Sequence, residues 1–175
     1  RTHIQFRDAP EIIEISHHLS HVYSGYFPSG FSEAAVMVVD YQGSPANLIT
    51  ESWPAHNDMP TTALEVASFY DCSGTNIVCL AKQMWDKSAG FDGAGLGVFF
   101  TLFTQLLFPG QGREGIVMGL APFGDPQKLG LPPLRVKHGS VHIPAEWHAL
   151  LEQRQRFAFF TKGTGSFEAC ADLAA

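Results

Sequence analysis

Seven residues, Ala34-Ala35-Val36-Met37-Val38-Val39-Asp40, do most to limit what this chain can fold into. Six apolar side chains in unbroken succession read as a strand covered on both faces. The run ends on a carboxylate, where a strand meets a loop. Upstream, Ile12 to Ile15 is a short β-type run that leads into Ser16, a good N-cap, and a helical stretch from His17 to about Tyr26. Pro28-Ser29-Gly30 breaks that helix. Downstream, Gly43 and Pro45 make a turn, residues 54–63 are a polar loop, and Ala46–Trp53 and Asn76–Lys82 read as further strands of a meander.

The second half is helical in pattern. Gly95 to Phe108 is apolar all round, as in a helix buried on most sides, and Pro109-Gly110 ends it. A shorter helix is expected from Glu114 to Ala121, stopped by Pro122 and Gly124. Residues 125–145 are rich in Pro and Gly, with a strand expected at 140–143. Glu146–Phe157 reads as an amphipathic helix, and Glu168 opens a last one. An α/β chain accounts for these elements.

Composition removes several function classes. Charged residues make up 16% and apolar ones 45%, which is too apolar for a disordered chain. The net charge of −6 argues against a non-specific nucleic-acid binder. The longest apolar run, Ala94 to Phe108, falls short of the roughly 20 residues a membrane span needs. Cys72, Cys79 and Cys170 form no metal or redox pair and read as reduced thiols of a cytoplasmic protein.

The chemistry concentrates in His17-His18-Leu19-Ser20-His21. On a helix His17 and His21 are i and i+4, so their imidazoles share one face and can chelate one divalent ion. Asp40 at the strand end is the plausible third ligand. His18 lies about 100° round the helix from His17, where it can face a substrate at the rim. The zinc-protease pattern needs Glu directly after the first His, and His18 occupies that place. Gly93, Gly95 and Gly97 precede the apolar helix. Such a run serves either anion binding by backbone amides or close helix packing. No phosphate loop and no nucleophile elbow are present.

Three ordered blocks, HHLSHVYSGYFPSGFSEAAVMVVD (17–40), GLGVFFTLFTQLLF (95–108) and EGIVMGLAPFGDP (114–126), resemble the N-terminal catalytic domain of the ATP-dependent O-carbamoyltransferases. These enzymes act on nodulation factors and antibiotics. The terminal Ala171-Asp172-Leu173-Ala174-Ala175 also fits. The resemblance implies a ribonuclease-H-like domain of the actin, sugar-kinase and Hsp70 superfamily, related to the tRNA threonylcarbamoyl transferase subunit. It implies His17, His21 and Asp40 as ligands of an iron-type or other divalent metal, with a fourth ligand downstream. Beside that metal, His18 is the candidate for hydrogen-bonding substrate or taking the acceptor proton, and Glu114 and Gly119 are the candidates for substrate binding.

The implied reaction uses carbamoyl phosphate and ATP as co-substrates. Carbamoyl adenylate forms in a separate C-terminal YrdC-like domain, and the carbamoyl group then passes to a hydroxyl of a small-molecule acceptor. On this reading residues 1–175 are a partial N-terminal domain, inactive alone, whose partner is the rest of its own polypeptide; neither nucleic acid nor a membrane is involved. Three departures stand out. Tyr41 replaces the usual Gly after the strand-end Asp, Gly95 replaces the Ser of Ser-Leu-Gly, and Ile116 replaces a Lys. The departures at Tyr41 and Ile116 motivate a second reading, a catalytically degenerate metal- or nucleotide-binding module of the same fold. A His-metal hydrolase is the third.

Overall fold

The computed structural model describes residues 13–55, 58–90, 93–137 and 140–175. The first layer is helix α1 (His17–Ser29) on a three-stranded antiparallel sheet of β1 (Glu33–Val39), β2 (Leu64–Ser73) and β3 (Asn76–Trp85), in the order β1-β2-β3. Helix α1 runs past the expected stop, with Pro28 accommodated inside its last turn. It ends on Gly30, whose φ of 80° is the left-handed conformation that glycine adopts without cost. Leu19, Val22 and Tyr26 of α1 bury against Val38, Tyr70, Cys72 and Cys79 of the sheet.

The both-face burial expected of Ala34–Val39 belongs to a different strand. In β1 the side chains alternate, with Val38 buried and Ala35, Met37 and Val39 exposed. β1 is paired on one side only, to β2, with Met37 opposite Phe69. The central strand β2 holds four consecutive buried residues, Glu65, Val66, Ala67 and Ser68. An irregularity in the pairing with β3 between Glu65 and Ala67 breaks the strict alternation there. Helix α1 covers one face of β2, while Val66 packs with Val98 of α2 on the other.

Other expectations need similar correction. Ala46–Trp53 contains a single helical turn at Ala46–Leu48 rather than a strand. Residues 13–15 carry no strand, and Ile12 lies outside the described residues. The meander exists, but its middle strand is Leu64–Ser73.

Helices α2 (Leu96–Leu107), α3 (Glu114–Leu120), α4 (Ala145–Glu152), α5 (Phe159–Lys162) and α6 (Phe167–Ala174) build the second layer. Their core gathers Phe103, Leu107, Val117, Leu120, Leu150, Phe157 and Cys170. Strands β4 (Arg135–Lys137) and β5 (Ser140–His142) form a small hairpin before α4. Helix α4 stops at Glu152, short of the expected Phe157, whose ring is instead fully buried in that core. The cysteines Cys72, Cys79 and Cys170 are buried and free, and burial pushes each thiol up. Among the described residues no helix is long and apolar enough to cross a membrane.

Candidate metal centre

The i, i+4 spacing on α1 and the end of β1 meet as the sequence suggests. His17 Nε2 lies 2.7 Å from Asp40 Oδ2, His21 Nε2 lies 3.4 Å from the same oxygen, and the two Nε2 atoms are 3.1 Å apart. Three donor atoms thus mark a triangle on an open face: His17 and His21 are about half exposed and Asp40 about one third. Two ligands each about 2.1 Å from one ion are about 3.0 Å apart at a right angle and about 3.4 Å apart at a tetrahedral one. Two edges of the triangle, 3.1 and 3.4 Å, have the size of a coordination-shell edge, and the third, 2.7 Å, is the His17–Asp40 hydrogen bond that an ion would replace. Two imidazoles and one carboxylate on one face, with the far side open, is the ligand set of non-haem iron sites and of several other divalent ions. Among the described residues these three form the one group of His, Cys, Asp or Glu side chains with that convergence.

Asp40 is aimed by its own turn. The Tyr41 amide donates to Asp40 Oδ1 at 2.6 Å, which leaves Oδ2 toward the histidines. Burial works to raise the Asp40 pKa, but the hydrogen bonds from His17 and the Tyr41 amide outweigh it and hold the carboxyl below its usual range. The Tyr41 side chain is exposed. Gly97, in the first turn of α2, packs its backbone on this turn. A Cβ there would lie 2.3 Å from the Asp40 carbonyl oxygen. Gly95 similarly faces Val66, with a Cβ at 2.8 Å. Gly95 and Gly97 therefore serve close packing of α2, the first against Val66 of β2 and the second against the Asp40 turn.

His18 does not face an open rim. Its side chain is fully buried, Nδ1 is 2.7 Å from Ser68 Oγ, and burial lowers its pKa to about 4, so the ring is neutral near pH 7. Its Nε2 is buried with no partner among the described residues. The rotation that sends His17 and His21 outward sends His18 into the sheet. A direct role on substrate, as expected from sequence, is not what this placement provides. Glu114 and Gly119 stand on α3, which packs on α2 and α6, and neither joins the triad. Gly119 is exposed with open space around it.

Beneath the triad lies a polar cluster that sequence reading missed. The buried Lys82 ammonium is 2.7 Å from Glu51 Oε1 and 2.7 Å from Glu65 Oε2, and it donates to Tyr70 Oη at 2.8 Å and Ser68 Oγ at 3.1 Å. Tyr70 donates to Glu51 Oε1 at 2.8 Å, and the Ser16 hydroxyl donates to Glu51 Oε2. Ser16 occupies the N-cap position, yet its side chain makes no cap bond. The first amides of α1 are taken up by tertiary partners instead. The Ser16 N–H donates to Thr50 Oγ1 (3.1 Å), the His17 N–H to Ser44 Oγ (2.9 Å), and the His18 N–H to Glu65 Oε1 (2.9 Å). The signal available in the sequence was Glu65 beside Val66 in an otherwise strand-like segment.

Comparison with known proteins gives the family. A family model described as Carbamoyltransferase N-terminus matches residues 2–136. This chain belongs to that carbamoyltransferase family. It is 31% identical over 119 residues to nodulation protein NolNO of Sinorhizobium fredii, covering 68% of this chain and 14% of that protein. It is 29% identical over 126 residues to the uncharacterized protein sll1178 of Synechocystis, covering 71% of this chain and 16% of that protein. The chain thus spans about one sixth or less of the length of the relatives it matches. The matched stretch includes α1, β1 and α2, and so the whole triad.

Proposed function

We propose that the complete polypeptide containing this chain transfers a carbamoyl group from carbamoyl phosphate, through carbamoyl adenylate, to a hydroxyl of a small natural product. Residues 1–175 are read as part of its N-terminal domain, with a YrdC-like domain elsewhere in the polypeptide forming the adenylate from ATP. The observation that carries the proposal is the convergence of His17 Nε2, His21 Nε2 and Asp40 Oδ2 in a chain of the carbamoyltransferase family. A ribonuclease-H-like architecture is supported by the antiparallel β1-β2-β3 meander followed by helices. A cytoplasmic setting accords with three buried, free cysteines.

His17, His21 and Asp40 would hold an iron-type or other divalent ion. Bound there, the ion would supply charge that neutralises the adenylate phosphate and polarises nearby oxygen. The acceptor oxygen forms the new bond to the carbamoyl carbon, the carbamoyl–phosphate bond breaks to release AMP, and the acceptor proton passes to solvent on the open face. Residues of this chain prepare the ground for that step. The Tyr41 amide fixes which Asp40 oxygen faces the histidines. Gly97 lets the start of α2 lie against the Asp40 peptide. The open face beyond the triad leaves room for substrate.

Metal content and turnover of the full-length protein test the proposal together. With carbamoyl phosphate, ATP and a polyol acceptor, AMP release is expected to depend on the acceptor. His17→Ala is expected to lose both retained metal and turnover. Unchanged metal stoichiometry in that variant would overturn the ligand assignment.

A further inference from the structure

The buried Glu65 carboxylate joins the two segments that carry the triad. Its Oε1 accepts from the His18 N–H at 2.9 Å and from the Ser44 N–H at 3.0 Å. The first amide belongs to the turn of α1 that bears His17, the second to the loop that follows Asp40. Its backbone completes the connection: Gly43 N–H donates to the Glu65 carbonyl at 2.7 Å, and Glu65 N–H donates to the Ser44 carbonyl at 3.1 Å. One residue on, the Asp40 N–H donates to the Val66 carbonyl at 3.2 Å. The Ser44 hydroxyl closes the circuit by accepting the His17 N–H at 2.9 Å. Lys82 occupies the other oxygen, Oε2, at 2.7 Å, so that Oε1 is left for the two amides.

We propose that Glu65 and Ser44 are positioning residues for the metal site: they fix the distance between His17 on α1 and Asp40 at the end of β1. The inference rests on the reading of the triad as a metal site. Hydrogen bonds to an ionised acceptor are short and strong, and the carboxylate is sealed from water. Each link therefore resists relative movement of helix and strand. Gly43 shows how tight the junction is, because a Cβ there would lie 2.6 Å from Glu65 Cγ and 2.9 Å from His18 Cδ2. Neither positioning residue touches the triad's donor atoms. Both act through the backbone of the ligands or of their neighbours.

The test uses the full-length protein, cobalt(II) as probe, and two readouts besides activity: affinity by chelator competition and the visible absorption spectrum of the bound ion. Glu65→Gln keeps the size but gives up one acceptor: its NH₂ must face either the two backbone N–H groups or the Lys82 ammonium, donor against donor in both cases. Ser44→Ala removes the acceptor of the His17 N–H at a partly exposed position. Each is expected to weaken cobalt binding about 10–100-fold, as loss of outer partners does at other metal sites, and to shift the absorption bands. Ser44→Thr, which restores the hydroxyl, is expected to recover both. Val117→Ala, in the helical core, is expected to lower thermal stability without moving the spectrum.

Folded Glu65→Gln and Ser44→Ala proteins with wild-type affinity and spectrum would overturn the proposal. So would a spectral shift of the same size in Val117→Ala, which would mark general loosening as the cause. If Glu65→Gln does not fold, the Ser44 pair decides. Failure of the metal reading is separately visible: wild-type protein would then bind no cobalt, or His17→Ala would bind it as wild type does, and both conclusions would fall.

Discussion

His17 and His18 are neighbours in the chain and opposites in the structure. His17 belongs to an open cluster with His21 and Asp40, each between one third and one half exposed. His18 belongs to a sealed cluster with Glu65, Ser68 and Lys82, all fully buried or nearly so. Both clusters are built on the first turn of α1. They differ in what the polar atoms still lack. In the sealed cluster the opposite charges pair and most polar atoms are hydrogen-bonded, which is the condition for burying charge at all. In the open cluster two imidazole nitrogens and one carboxylate oxygen converge within 2.7–3.4 Å of one another on a face open to solvent. The sealed cluster is suited to holding structure, the open one to holding an ion. Four measurements can break that division.

The largest effect is expected from Lys82→Met. It leaves Glu51 and Glu65 without the cation between them, and removing one partner of a buried pair costs about 3–5 kcal/mol. Urea unfolding should show a loss of that order. A loss below about 1 kcal/mol would mean the cluster reorganises easily and does not hold the layer together.

Acid should act on the sealed cluster next. His18 titrates in the folded state at about 4, below its ordinary 6.5, because burial disfavours the charged ring. The unfolded chain therefore binds the proton first as pH falls. The stability that depends on a neutral His18 is intact above pH 6.5 and is lost progressively down to about pH 4. Glu51 works in the same direction at the lower end. Burial opposes its ionisation, but hydrogen bonds from Lys82 and Ser16 hold its carboxyl below the usual range. Metal-free protein is expected to lose about 1–3 kcal/mol between pH 6.5 and 4. A flat stability profile across that window would show that His18 accepts a proton without cost.

The same contrast explains what could be read before the structure. His17, His21 and Asp40 were legible because their chemistry follows from local rules, an i, i+4 pair and a strand end. Glu51, Glu65 and Lys82 were not, since a charged residue in a strand-like segment ordinarily faces water, and only the sheet order shows that β2 is central. The apolar run Ala34–Val39 misled for the converse reason. Hydrophobicity signals that a segment can be covered, whereas its place in the sheet decides whether it is, and β1 has a neighbour on one side and exposes Met37 and Val39. Helices α2, α3 and α6 were legible from apolar pattern and Pro/Gly stops, while the four-residue α5 carries no period long enough to read.

Gly97→Ala probes the contact between α2 and the open cluster. The new methyl would meet the Asp40 carbonyl oxygen at 2.3 Å, backbone against backbone, so helix or turn must move. Overpacking of this kind costs about 1–3 kcal/mol. Metal affinity should fall along with stability because the displaced turn carries Asp40, the proposed carboxylate ligand. If stability falls while metal affinity holds, the Asp40 turn is anchored by β2 alone, and the open cluster depends on the sealed one without help from α2.

The smallest effect on stability is expected at the triad itself. His17 is about half exposed and contributes no apolar burial to the core, so His17→Ala should change metal-free stability by no more than about 0.5 kcal/mol. It should nevertheless abolish metal retention, because it removes the donor nearest to both others. Thermal melts of wild type and variant, each with and without added metal, separate the two effects. Wild type should gain stability on metal addition, since an ion that binds only the folded state stabilises it in proportion to its occupancy. His17→Ala should gain none. A variant that melts far below wild type in the absence of metal would show that the His17–Asp40 hydrogen bond, at 2.7 Å, is itself a structural tie. The division between a cluster that holds structure and a cluster that holds an ion would then fail at its central residue.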